Sequence, residues 1–201
     1  MSAVLDLARI APGFSEPTRD SQTVFRKVME AVARPGTVAD LAFAPEAPKG
    51  LTRAAGAVAL TLFDFETPVW VDPALGEETR DWLRFHCGCP MTDDPQEAAF
   101  ALVSDAAKAP ALTTFNMGDA KYPDRSTTVI LQIAALDGGA PVTLSGPGIK
   151  GSARIAPAGL PQGFWAQVQD NHELFQFGVD VMLVAGDRLT ALPRSTRVQE
   201  G

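Results

Sequence analysis

A chain of 201 residues, 46% hydrophobic and 20% charged, can bury a core of its own and is too apolar to be disordered along its length. A formal charge of −7 disfavours nucleic-acid and anionic-membrane partners, and no apolar run is long enough to span a bilayer. Residues 1–12 lack a basic segment ahead of an apolar stretch, and two cysteines cannot build a disulfide framework, so the chain reads as a soluble, cytoplasmic protein folded as one domain over residues 1–201.

In chain order, residues 1–17 read as an extended arm. Thr18, Asp20 and Ser21 are candidate caps for a helix whose apolar stripe is Val24, Phe25, Val28, Met29 and Val32. Arg34-Pro35-Gly36 stops it. A loop occupies 44–50, residues 54–63 form a helix apolar nearly all round, and 67–71 a strand that starts on proline. Residues 77–86 form a helix with acidic residues in its first turn. A short buried strand covers 99–104, a short helix 109–115, and the strongest strand signal, Thr127-Thr128-Val129-Ile130-Leu131-Gln132-Ile133, lies within 126–136. Asp137-Gly138-Gly139 turns the chain into a strand at 142–144. Another strand covers 152–155, a helix 161–173, a buried strand 179–184, and the last strand 189–192. Residues 198–201 read as a flexible tail. The interleaving of helices and strands predicts an α/β layered fold, one mixed sheet flanked by helices, with its late strands antiparallel because tight turns join them.

The segment Arg84-Phe85-His86-Cys87-Gly88-Cys89-Pro90 gathers both cysteines and one of the two histidines. The C-x-C spacing is tighter than that of structural zinc sites, and the other histidine, His172, falls on a different predicted helix, so zinc is disfavoured. Helix-stop chemistry explains the segment better: Trp82, Phe85 and His86 share a face, Gly88 suits the position after the last turn, and Pro90 follows. A reactive thiol beside Arg84 and a pocket role for His86 remain open.

Gly146-Pro147-Gly148-Ile149-Lys150-Gly151 spells G-x-G-x-x-G, but a dinucleotide site needs a helix to open at the third glycine, and Ser152-Ala153-Arg154-Ile155 alternates like a strand. It reads as a glycine turn between strands, or as an anion-accepting loop with Lys150 at its lip. Asp124 and Arg125 precede the strongest strand, in a loop that suits either function or a local ion pair. Asp180 sits within a buried strand and requires a partner, such as an arginine. Arg194 and Arg197 read as a solvated tail. No Ser-His-Asp order, paired-carboxylate spacing or H-E-x-x-H appears.

An ordered set of segments carries a resemblance: Phe25-Arg26-Lys27-Val28-Met29, Ala33-Arg34-Pro35-Gly36, Thr67-Pro68-Val69-Trp70, Trp82-Leu83-Arg84-Phe85-His86, Tyr122-Pro123-Asp124-Arg125-Ser126, Gly146-Pro147-Gly148-Ile149, Gly178-Val179-Asp180 and Leu192-Pro193-Arg194. From about residue 14 to 198 the chain resembles the H subunit of the bacterial carbon–phosphorus lyase system for phosphonate metabolism. The resemblance implies a fold like the large domain of pyridoxal-phosphate-dependent transferases, without that cofactor. It also implies a homodimer that joins the G, I and J subunits in a core complex. That complex couples an alkylphosphonate to the ribose C1′ of ATP and releases adenine. Cys87 and Cys89 depart from the family, which usually has Thr and Ala there, and Gln176 stands where proline is common. The resemblance supplies no catalytic residues. Polarity and clustering nominate one anion pocket from Arg84, His86, Asp124, Arg125, Gly146, Gly148 and Lys150, with no cofactor and no metal expected. A stand-alone pyridoxal-phosphate enzyme would need a lysine in a Schiff-base setting. Lys27, Lys49, Lys108, Lys121 and Lys150 all fall on a predicted helix face or in loops.

Overall fold

In the computed structural model, which describes residues 10–200, a mixed seven-stranded sheet separates two apolar layers. Residues 1–9 of the expected arm and Gly201 of the expected tail lie outside the described residues. Helix α1, Pro17–Ala33, begins earlier than its sequence caps suggest. Proline suits the first helical position, where no donor is required, and Asp20 reaches back to accept from the Glu16 N–H at 3.0 Å. Strand β1, Ala39–Asp40, follows; then α2, Arg53–Leu62, capped by Thr52, whose hydroxyl accepts from the Ala55 N–H. Strand β2 is Val69–Val71, and α3, Gly76–Cys87, ends on Gly88 at φ 64, the left-handed stop its sequence indicates.

Strand β3, Met91–Thr92, lies at the sheet edge. Strands β4, Phe100–Val103, and β5, Thr128–Gln132, sit inside the expected ranges. The helix expected over 109–115 is instead a pair of 3-10 turns, Ala106–Lys108 and Leu112–Thr114, since Pro110 withholds the donor a continuous helix needs. Strands β6, Val142–Ser145, and β7, Ala153–Ile155, flank the glycine loop, which opens no helix. Helix α4, Phe164–Glu173, starts three residues after Pro161 because Gly163 takes a left-handed conformation at its cap. Strands β8, Asp180–Ala185, and β9, Arg188–Leu192, form a hairpin.

A further strand corrects the sequence reading. Residues Arg197–Glu200 form β10, antiparallel to β6, so they are neither a flexible tail nor past the last strand. Val198 is buried and Leu144 is its cross-strand partner, which gives this short polar segment an apolar anchor. The order of the large sheet is β1-β9-β8-β5-β4-β2-β3; β8, β5, β4, β2 and β3 are parallel, while β9 runs against both β8 and β1. A second, antiparallel sheet has the order β10-β6-β7.

The period-2 alternation of the buried strands divides the core. Leu102, Ile130, Met182 and Val184 face α1, α2 and α3, whereas Val103, Leu131, Val181 and Leu183 face α4 and the small sheet. The predicted stripe of α1 is only half buried: Val24 and Val28 are inside and Val32 is half-buried, while Phe25 and Met29 remain 46% and 50% exposed, and Ala31, outside the predicted stripe, is buried. One face of a helix lying on a sheet subtends too narrow an arc to cover both rows.

Gly148 shows why the loop between β6 and β7 needs glycine. Its φ is +80°, and a Cβ there would lie 1.9 Å from the Ala33 carbonyl oxygen at the end of α1. The glycine spelling records a close backbone crossing between the small sheet and α1.

Candidate functional site

The two ends of the parallel strands offer different chemistry. The chain leaves β2 outward to edge strand β3, then returns to β4 on the other side of β2, so the direction of winding reverses between β2 and β4. Ligands of open α/β sheets favour the crevice outside the carboxyl ends at such a point. Here Asp72 and Ser104 end those two strands and bind each other. The Asp72 carboxylate accepts from the Ser104 hydroxyl, from the Ser104 N–H at 3.1 Å and from the Ala74 N–H at 3.0 Å. Burial pushes the Asp72 carboxyl up, but the Ser104 hydroxyl, the two N–H donors and the Lys108 charge outweigh it and hold the group below its usual range.

Beside this bridge, a cleft of about 450 Å³ is lined by Gly50, Thr52, Ser104, Asp105, Gln132 and Gly159, among others. Gln132 is buried, and its amide closes the floor: Oε1 accepts from the Thr52 N–H at 2.6 Å, while Nε2 donates to the carbonyls of Gly50 at 3.0 Å and Ser104 at 3.1 Å. The first-turn donors of α2 are likewise engaged, Ala54 N–H with the Gly186 carbonyl and Ala55 N–H with Thr52. The carboxyl-end crevice is thus a hydrogen-bonded closure more than an open cradle for an anion.

At the amino ends of β2, β4 and β5, a larger cleft of about 570 Å³ is bounded by Glu66, Glu97, Asn116, Asp124, Arg125 and Ser126, with Pro68 and Phe100 as apolar wall. Asp124 and Arg125 lie in a 3-10 turn, Pro123–Arg125. The Arg125 guanidinium stacks on the Tyr122 ring, 4.0 Å from its centroid, instead of pairing with Asp124.

Arg194 fixes this turn. Its Nη1 donates to the Pro123 carbonyl at 2.8 Å and to the Gln176 carbonyl at 3.4 Å, while Nη2 and Nε donate to the Asp180 carboxylate at 2.7 and 3.2 Å. Asp180 therefore has the arginine partner its buried strand required. Arg194 is no solvated tail, its side chain being only 15% exposed. The expectation for Arg197 is corrected as well: it opens β10, and its Nε donates to His172 Nε2 at 3.2 Å. The sequence placed these arginines at the end of the last strand it showed; their partners, Asp180, Pro123 and Gln176 for Arg194 and His172 for Arg197, lie 14 to 71 positions away.

The seven nominated anion-pocket residues occupy three places. Asp124 and Arg125 share the amino-end cleft. Arg84 pairs with Asp81 at 2.9 Å and lies 3.7 Å from Glu77, and His86 Nε2 bonds the Ala11 carbonyl at 2.9 Å, the acceptor that Trp82 Nε1 also uses. Gly146 and Gly148 pack against Ser195 and Ala33, with Lys150 exposed on the same loop. Among the described residues no hydrogen bond or ion pair joins the three groups. The thiols sit at the end of α3 as helix-stop residues. A hydrogen bond with Cys89, then burial, pushes the Cys87 thiol up, while Cys89 is lowered by the same contact and by the Arg84 charge. Sequence reasoning missed Asp72, Ser104 and Gln132; the available signal was a polar residue closing each apolar strand, but which strands adjoin is not written locally.

At the carboxyl-end cleft the Ser104 hydroxyl is paired with the Asp72 carboxylate, a bond that ties the ends of β2 and β4 together. Both histidines spend a ring nitrogen on a backbone carbonyl, His86 on Ala11 and His172 on Arg194 at 3.2 Å.

The family model of the bacterial phosphonate metabolism protein PhnH matches residues 12–199. The alpha-D-ribose 1-methylphosphonate 5-triphosphate synthase subunit PhnH of Rhizobium meliloti (strain 1021) is 42% identical over 187 residues, covering 92% of this chain and 94% of that protein. The putative C-P lyase subunit protein HtxG of Stutzerimonas stutzeri is 29% identical over 177 residues, 88% of this chain and 85% of that protein.

Proposed function

Because the chain belongs to the PhnH family of bacterial phosphonate metabolism proteins, we propose that it is an accessory subunit of a carbon–phosphorus lyase core complex, acting in alkylphosphonate catabolism. The observation that carries this reading is the 42% identity, spread over nearly the whole of both chains, to a protein named as a synthase subunit. The product in that name bears methylphosphonate at ribose C1 and triphosphate at C5. ATP already carries the triphosphate, so the step it implies replaces adenine: a phosphonate oxygen forms the bond to C1′ as the C1′–N9 bond breaks, and the base departs.

In this reading the chain supplies surface and support to that transfer, and the G, I and J subunits complete the assembly. A homodimer of this chain, a cytoplasmic location and a fold like the large domain of pyridoxal-phosphate-dependent transferases belong to the same proposal. A mixed sheet covered by helices on one face supports the fold, and among the described residues no helix is long and apolar enough to cross a membrane. Of the nominated anion-pocket residues, Asp124 and Arg125 are retained as contributors to a binding cleft.

Turnover tests the reading. The isolated chain, given ATP and methylphosphonate, is expected to release no adenine, and the other subunits are expected to regain full adenine release when it is added. Enzyme-like release by the isolated chain, or full release by the others without it, would overturn the accessory role.

A further inference from the structure

We infer that the amino-terminal edge of the parallel strands is a docking surface for a segment of a partner subunit that presents an arginine or lysine flanked by apolar side chains. The inference rests on the accessory-subunit reading and names the surface through which the chain joins its complex.

Three observations converge on this edge. Its cleft carries Glu66, Glu97 and Asp124 against one cation, Arg125, which is engaged by Tyr122; among the described residues none of the three carboxylates is in an ion pair. Large apolar side chains stand in water on both flanks. Phe65, 75% exposed, adjoins Glu66. Phe175 and Phe177, 59% and 37% exposed, flank Gln176, whose carbonyl shares one Arg194 nitrogen with the carbonyl of Pro123, the residue before Asp124. Finally, Ser126 lines the cleft, is 7% exposed, and its hydroxyl has no partner.

A charged cleft between exposed aromatic flanks has the make-up of a protein interface. A guanidinium or ammonium entering it would donate charge-assisted hydrogen bonds to the carboxylates and give the Ser126 hydroxyl a donor. Its aliphatic stem would lie along Pro68 and Phe100, and neighbouring apolar residues would cover Phe65, Phe175 and Phe177. A phosphate-bearing ligand would meet three carboxylates here, which disfavours it. The chain's overall negative charge favours encounter with a basic segment.

The test titrates the purified full chain into the co-expressed G, I and J subunits and measures affinity by calorimetry. Glu97→Lys with Asp124→Lys is expected to weaken binding by at least about tenfold, since each reversal turns an attraction into a like-charge contact. Phe65→Ser, at a position too exposed to disturb folding, is expected to weaken it by at least about threefold. A matched reversal at the opposite end of the sheet, Asp137→Lys with Asp187→Lys, is expected to change it less than about twofold. Far-UV circular dichroism of each variant verifies the fold. Binding by the first double variant within about twofold of wild type, unchanged binding by Phe65→Ser, or an equal loss in the opposite-end variant would each overturn the docking surface while leaving the accessory role intact. Failure of the wild-type chain itself to bind the three subunits would overturn the accessory role, and the docking surface with it.

Discussion

Replacing Arg194 by methionine removes the clamp of the amino-end cleft while keeping most of its stem. The guanidinium donates twice to Asp180 and to the carbonyls of Pro123 and Gln176. Its loss leaves Asp180 with the Arg194 backbone N–H at 2.8 Å as its remaining recorded partner. Removing one member of a fully buried ion pair costs about 3–5 kcal/mol. The two side chains are 15% and 33% exposed, so water relieves part of that penalty. We therefore expect a loss of about 3 kcal/mol, near the lower end of that range. For a domain of this size that corresponds to a melting point lower by about 6–12 °C. Urea and thermal unfolding of wild type, Arg194→Met, Asp180→Asn and the double variant form a cycle, with an expected coupling of about 1–2 kcal/mol. A shift below about 2 °C, typical of an unattached surface arginine, or strictly additive single effects would refute the reasoning.

Other expectations follow from single contacts. Gly148→Ala places a methyl group against the Ala33 carbonyl at positive φ and should cost more than about 2 kcal/mol in urea unfolding. Gln132→Leu strands the Thr52 N–H and two carbonyls at the closed crevice, with an expected loss of about 2–3 kcal/mol by the same assay. Asp72→Asn should cost about 1–2 kcal/mol near pH 7 through its weakened bonds to Ser104 and Ala74. The folded-state pKa of Asp72 is depressed below 3.8, so its contribution is full above that value and lost as pH falls through the folded-state value. Unfolding midpoints for wild type and Asp72→Asn should thus converge in strongly acidic buffer and stay apart near neutrality.

Local chemistry made most of the elements readable. The apolar run of α2, the Gly88 stop of α3 and the β-branched run of β5 declare themselves within a few residues. Asp180 announced its need for a cation because a carboxylate in a buried strand has few alternatives. What stayed hidden depends on distant neighbours. Strands β1 and β3 have two residues each and exist only through pairing with β9 and β2. Strand β10 reads as polar tail until β6 lies beside it. The same limit scattered the nominated anion pocket: residue type marks Arg84, Asp124 and Lys150 as useful, but only the sheet order tells which of them share an edge. Asp72 and Ser104, 32 positions apart, meet because β2 and β4 are neighbours at the reversal of winding.

The central claim is that this chain works as part of an assembly, and native mass measurement after co-expression with the G, I and J subunits tests it most directly. The account predicts one complex whose mass includes this chain in fixed proportion to the others. Recovery of a complete G, I and J assembly with this chain left free in the same lysate would contradict it.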